Sequence, residues 1–220
     1  MVIIPVMSFK SERLSAESLE ALPPKKHLFY TNGLMLIIGA MLVLTFWNIN
    51  ERPWEKIGFT WPTIDRNLVL LLLIMLVFYF SDVLYSWLNK KYRDDKLDEL
   101  SYLMPLNWKE YGHFTFLAVA AGISEEIIFR AFLMAYLENY LNGLVYSTML
   151  VILLPAVVFS VSHLYQGWWA VLKIFVLASL FGLIYIYSGS LYLVIIIHIL
   201  IDLISGLLGI GRDLQRQGNE

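Results

Sequence analysis

Six apolar runs dominate the chain, at about 29–48, 68–88, 112–141, 145–165, 169–187 and 190–209. The first passes through Leu34-Met35-Leu36-Ile37-Ile38 to Trp47, and the second runs from Leu68 through Met75 without a charge. Each run approaches the roughly 20 residues that a helix needs to cross about 30 Å of hydrocarbon. The pattern predicts an all-α fold, a polytopic transmembrane bundle of about six spans. The third run is long and polar in its middle, so it has room to break into two pieces, and Pro155 in the fourth predicts a kink or local widening. The last four runs are joined by short linkers, as expected of antiparallel neighbours, with Ser188-Gly189-Ser190 a turn between the last two. No internal repeat and no low-complexity tract interrupts the series.

The polar stretches divide the chain into an N-terminal tail over 1–27, a two-span region over 28–88, a charged linker over 89–111, a four-span core over 112–210 and a tail over 211–220. In residues 7–27 Leu14, Leu19 and Leu22 are only loosely spaced, which reads as a solvated tail that Pro23-Pro24 closes. In 89–111, Leu97, Leu100, Leu103 and Met104 recur at helical spacing among many charges. That suggests a solvated linker with a helix on the membrane surface. All seven tryptophans fall at span ends or in flanking loops, where interfacial aromatics concentrate. Lys and Arg are commoner in the tail before the first span and in the linker after the second than in the loop between them. The expectation is a multi-pass integral protein of a prokaryotic plasma membrane with both termini cytoplasmic.

Composition agrees with this reading: 59% of the 220 residues are hydrophobic and 15% charged, against about 45–50% and about 25% in a typical soluble domain. The formal net charge of -2 and the lack of a basic block argue against a nucleic-acid partner. With no cysteine, disulfides, thiolate metal sites and cysteine nucleophiles are excluded. The apolar start, Met1 to Val6, precedes the positive charges and contains Pro5, unlike a secretory signal.

Against this background one stretch stands out, Gly122-Ile123-Ser124-Glu125-Glu126-Ile127-Ile128-Phe129-Arg130 in the third run. Ionisable groups in hydrocarbon cost several kcal/mol unless paired or facing a wet cavity, so their first reading is functional. At about 100° per residue, Glu126 and Arg130 lie about 40° apart on a helix. Their order favours an ion pair. Glu125 is turned about 100° from Glu126 and is free to face something else. All three clamping helices together as one ion network is the alternative. The fourth run ends with Phe159-Ser160-Val161-Ser162-His163, and the sixth carries His198-Ile199-Leu200-Ile201-Asp202. Each histidine alone reads as a hydrogen-bonded structural residue; together, on separate helices and at compatible depths, they give Glu125 partners. Asp82, His113, Glu138 and Lys173 lie near span ends, where Asp82 and Lys173 reach the interface.

The order Glu-Glu-x-x-x-Arg, Phe-x-x-x-His and His-x-x-x-Asn or a close variant, each on its own transmembrane helix, resembles the type II CAAX prenyl endopeptidase family. The family, also called CPBP or Abi, consists of intramembrane proteases. The resemblance covers about residues 112–210, and the loop from Trp54 to Phe59 looks like the family's approach to this core. It implies that Glu125 activates the attacking water with help from His163, that Glu126 and Arg130 are a supporting pair, and that His198 with position 202 faces the oxyanion. Here Asp202 stands in place of asparagine. An ionised aspartate only accepts hydrogen bonds, whereas an amide also donates, so Asp202 acts either protonated or by orienting His198.

Amide hydrolysis needs a base for water, a donor for the oxyanion and an acid for the leaving amine, which this residue set supplies. Glu125, His163 and His198 also have the donor types of a divalent metal site, zinc included, so a metal-assisted and a metal-free route both stand. The expected partners are membrane lipids and a peptide or protein substrate, lipidated or not. Two other functions are compatible with such a chain: a non-catalytic immunity or scaffold protein of the same fold that binds a peptide or protein, and a proton-coupled carrier. The small span number and the lack of paired half-repeats disfavour the carrier.

Overall fold

The computed structural model describes residues 23–89 and 102–217, which are helical with no strand among them. The readings of 7–22 as a tail and of 90–101 as a surface helix lie outside the described residues. Helix α1 spans Lys25–Ile49 and α2 Arg66–Leu88. Helix α3, Trp108–Glu126, continues through a π-helical segment, Ile127–Met134, into α4, Ala135–Leu141. Helices α5, α6 and α7 span Ser147–Val161, Trp168–Ser188 and Leu191–Gln217. The expected all-α bundle is present, and each apolar run of the sequence has a helical counterpart.

Four helical stretches are long and apolar enough to cross a membrane: Lys25–Ile49, Arg66–Tyr85, Trp168–Ser188 and Leu191–Ile210. Together with the outward-facing Leu, Ile, Met and Phe side chains along these helices, they make the chain an integral membrane protein. The third run does not break in two; it is one helical path widened over Ile127–Met134. The fourth is shorter than expected, since α5 holds only 15 residues and ends before His163. Its helix continues through the buried Pro155.

Helix starts follow the local chemistry. Asp65 caps α2 by accepting the Leu68 N–H at 2.8 Å, and Asn107 caps α3 by accepting that of Glu110 at 2.9 Å, each satisfying a donor that the first turn leaves open. Pro24 precedes α1 and adds no donor of its own.

Contacts set the path of the chain. Phe29 meets Phe114 at 5.5 Å and Trp47 meets Phe132 at 6.4 Å, so α1 runs parallel to the α3 path. Helix α7 runs antiparallel to it, with the Tyr111 hydroxyl donating to Leu203 O at 3.1 Å and His198 beside Glu126. Lys25 bonds Met104 O and Glu110, both at 3.0 Å, and Gly209 packs on Pro105. The starts of α1 and α3 and the later part of α7 therefore share one end of the bundle.

The opposite end is closed by hydrogen bonds to backbone carbonyls. The α1–α2 loop contains a 3-10 turn, Trp54–Ile57, and Gly58 with φ of 79°, a left-handed conformation that suits glycine. Leu191 N–H donates to Gly58 O at 2.7 Å, Ser190 Oγ to Thr60 O at 2.5 Å, and Tyr185 OH to Ile57 O at 3.0 Å. The loop that sequence reading placed as an approach to the core thus seats on the α6–α7 turn. The largest buried cluster lies against it: Trp47, Ile57, Leu68, Ile127, Ile184 and Leu191. Trp47 departs from the interfacial pattern, since it is only 1% exposed, whereas Trp54, Trp61, Trp108, Trp168 and Trp169 are exposed.

Candidate active site

Glu126 is the last residue of α3, directly before the π-helical turn, a kind of irregularity that recurs at functional sites. Its Oε1 accepts Arg130 Nη1 at 2.8 Å, with the two side chains 0% and 4% exposed. The ion pair expected from the spacing is therefore present and fully enclosed. Arg130 also donates to Ala178 O on α6 at 3.4 Å, and its guanidinium lies 5.2 Å from each of the Phe159 and Phe181 rings. Such faces favour a planar cation.

The same Oε1 accepts Nδ1 of His198 at 2.6 Å. This short bond joins α3 to α7, and a glycine makes it possible. A Cβ on Gly122 would stand 2.5 Å from Ile199 Cγ1 and 3.1 Å from the Ile199 backbone nitrogen. Only a bare α-carbon lets the α7 backbone come so close. With Nδ1 committed to Glu126, Nε2 of His198 faces two carboxylates, 3.6 Å from Glu125 and 3.7 Å from Asp202. Both gaps exceed a hydrogen bond. Glu126, and not Asp202, is the residue that orients the ring.

His163 lies beyond the end of α5, at the start of a 3-10 turn, Leu164–Gln166. Its Nδ1 is 2.8 Å from Phe159 O and 3.2 Å from Ser162 Oγ. Donation from Nδ1 to the carbonyl leaves Nε2 as an acceptor. Phe159 separates the two histidines, its ring 4.7 Å from that of His163 and 6.3 Å from that of His198. The residues of all three motifs thus converge on one buried region. Exposure rises across it, from none at Glu126 to 15% at Glu125 and 31% at Asp202. The opening is therefore on the Asp202 side, at the end of the bundle shared by the start of α3.

Glu126 Oε2 has no protein partner although it is buried, and a buried acceptor of this kind is usually met by water. Among the described residues, no three of histidine, aspartate and glutamate are placed so as to hold a metal ion. Glu125, His163 and His198 therefore do not form a ready ligand set.

The polar residues near span ends are spent on helix contacts. Lys173 on α6 pairs with Asp82 on α2, so the two meet each other across the bundle instead of each reaching the interface alone. They border a small cavity of about 110 Å³ that Tyr79 and Gln166 also line. His113 Nδ1 bonds the Tyr30 hydroxyl at 3.2 Å. Sequence reading passed over Tyr165, whose ring lies 6.0 Å from His163 and whose hydroxyl accepts Gln166 Nε2 at 3.0 Å. An aromatic two residues after a Phe-x-x-x-His motif carries no periodic signal that would mark it.

No curated protein and no solved structure matches the chain. A family model, described as type II CAAX prenyl endopeptidase Rce1-like, matches residues 107–204. That stretch runs from the cap of α3 to the turn of α7 just past Asp202 and holds every residue of the three motifs. Residues 107–204 thus match the domain of the Rce1-like type II CAAX prenyl endopeptidases.

Proposed function

We propose that the protein is an intramembrane endopeptidase that hydrolyses a peptide bond of a membrane-associated or lipidated peptide with water activated by Glu125. The observation that carries this reading is His198 fixed by Glu126 at 2.6 Å with its other nitrogen turned toward Glu125 at 3.6 Å. A structural clamp would be complete with Glu126, Arg130 and His198. Glu125 adds nothing to it and stands on the side that opens to Asp202.

In this reading Glu125 takes one proton from water while Nε2 of His163 accepts a hydrogen bond from the O–H that remains. The resulting hydroxide attacks the scissile carbonyl carbon, and the carbonyl π pair moves to oxygen. The tetrahedral intermediate collapses with cleavage of the C–N bond, and Glu125 returns its proton to the leaving amine. His198, when charged, donates from Nε2 toward the reacting centre, and the Glu126–Arg130 pair holds it in place. The lysine and arginine bias of the flanks supports a cytoplasmic side for the open end and both termini.

The test is cleavage by the protein reconstituted in liposomes. The panel is a farnesylated C-terminal Cys-aliphatic-aliphatic-X peptide, its unlipidated counterpart and unrelated hydrophobic peptides. Release of a C-terminal fragment supports the reading. Specific peptide binding with no product from any peptide would favour a non-catalytic scaffold.

A further inference from the structure

The proposed reaction has one oxyanion donor, Nε2 of charged His198, and position 202 is where the resemblance implies a second. The oxyanion needs a preformed donor, and Asp202, where the family pattern has an amide, offers only acceptor oxygens when ionised. It stands 3.7 Å from His198 Nε2, bonded to neither nitrogen. A residue beside His163 and outside the three motifs carries a hydroxyl that can supply that second donor.

Tyr165 lies on the 3-10 turn that carries His163 away from α5, and the residue is 40% exposed. Its ring stands 6.0 Å from His163, at 31° between planes. The hydroxyl already accepts Gln166 Nε2 at 3.0 Å. An oxygen that accepts from an amide donates its own hydrogen more strongly, and no other protein acceptor takes that hydrogen among the described residues. The short turn fixes both side chains, since Gln166 N–H bonds His163 O at 2.9 Å.

We propose that Tyr165 is a further catalytic residue, whose phenol, polarised by Gln166, donates a hydrogen bond to the oxyanion of the tetrahedral intermediate in place of the asparagine amide that Asp202 lacks. This rests on the proteolytic reading above. No proton leaves Tyr165: the hydrogen bond forms as the carbonyl π pair moves to oxygen and is released when the C–N bond breaks. Removing such a donor costs about 100-fold to 1,000-fold in kcat where it has been measured in other enzymes.

The test is steady-state cleavage in liposomes by wild type, Tyr165→Phe, Gln166→Ala and Glu125→Gln, with insertion and melting checked for each. The phenylalanine variant keeps the ring against His163 and removes only the hydroxyl. The expected result is a kcat about 100-fold lower in Tyr165→Phe with KM within threefold, and a smaller fall in Gln166→Ala. A phosphinate analogue of the peptide, which mimics the tetrahedral oxyanion, then binds Tyr165→Phe far more weakly than wild type, while the substrate peptide itself binds both alike. If Tyr165→Phe keeps kcat within threefold while Glu125→Gln is inactive, Tyr165 is not the donor and the proteolytic reading survives. Loss of kcat with equal loss of affinity for substrate and phosphinate also overturns the proposal, because it marks a structural role. If wild type cleaves nothing, both readings fall together.

Discussion

Glu126 Oε1 receives the guanidinium of Arg130 at 2.8 Å and Nδ1 of His198 at 2.6 Å, so one buried oxygen fixes a cation on its own helix path and the imidazole of another. Everything else in the site follows from this bond between Glu126 and His198. It sets the ring's orientation and thereby aims Nε2 at Glu125 and Asp202.

Removing that oxygen strands Arg130 between two aromatic rings with no counter-charge. Truncating one partner of a buried pair typically costs about 3–5 kcal/mol. Glu126→Ala is therefore expected to lower stability by that order, and Glu126→Gln by less, because its amide oxygen still accepts one bond. Denaturant or thermal unfolding in detergent micelles reads the difference. A cost below about 1 kcal/mol for Glu126→Ala would show that the pair is not enclosed as described.

The approach of α7 to α3 depends on Gly122. Gly122→Val pushes its side chain into Ile199, whose Cγ1 would lie 2.5 Å from the new Cβ. Overpacking of this kind costs about 1–3 kcal/mol, and here it also separates His198 from Glu126. Activity should fall much more than stability does. Equal activity in Gly122→Val would mean that the Glu126–His198 bond does not matter for catalysis.

Position 202 can be restored to the commoner residue. Asp202 makes no hydrogen bond to His198, so Asp202→Asn should leave folding intact and add an amide donor at the open side of the site. We expect kcat to hold or rise, and the Tyr165→Phe penalty to shrink below tenfold in the Asp202→Asn background, because two donors then serve one oxygen. A double-mutant cycle on kcat measures this coupling. Strict additivity would place the two residues at different steps.

At the same end of the bundle, Lys25 and Glu110 join α1 to α3. Burial pushes the Glu110 carboxyl up, but the Leu106 N–H at 2.9 Å, Lys25 and Asn107 together outweigh it and hold the group below its ordinary value. A carboxyl lowered on folding stabilises fully above its unfolded pKa of about 4.3 and loses that contribution as pH falls through the lower folded value. Glu110→Gln should therefore lower Tm at pH 7 and converge with wild type below about pH 4. A Tm difference that persists unchanged at pH 3 would assign the effect to packing and not to charge.

The Glu126–Arg130 pair was legible in the chain because both ends lie on one helix, where spacing alone decides proximity. The partner of His198 was not, since it depends on how closely α7 packs on α3, a matter of a glycine 76 residues away in sequence and of tertiary shape. The helix ends were also only partly legible. Apolar composition continues past Val161, but the chain turns there, because hydrophobicity marks what can be buried and not where hydrogen bonding stops. The π-helical turn after Glu126 leaves no compositional mark either. Trp47 looked like an interfacial aromatic by position alone, yet the Phe132 ring and the Arg52 guanidinium, 5.5 Å from its own ring, enclose it. Tyr165 left no mark either, because an aromatic two residues past a Phe-x-x-x-His motif carries no periodic signal.

The most direct measurement is the single-turnover cleavage rate of purified Glu125→Gln beside wild type in liposomes, on whichever peptide wild type cleaves. Glutamine keeps the size and polarity of Glu125 but cannot take a proton from water. A general base contributes about 100-fold to 10,000-fold, so the rate should drop by at least the lower figure while peptide binding and melting stay near wild type. A Glu125→Gln protein that cleaves as fast as wild type would contradict the assignment of Glu125 as the base.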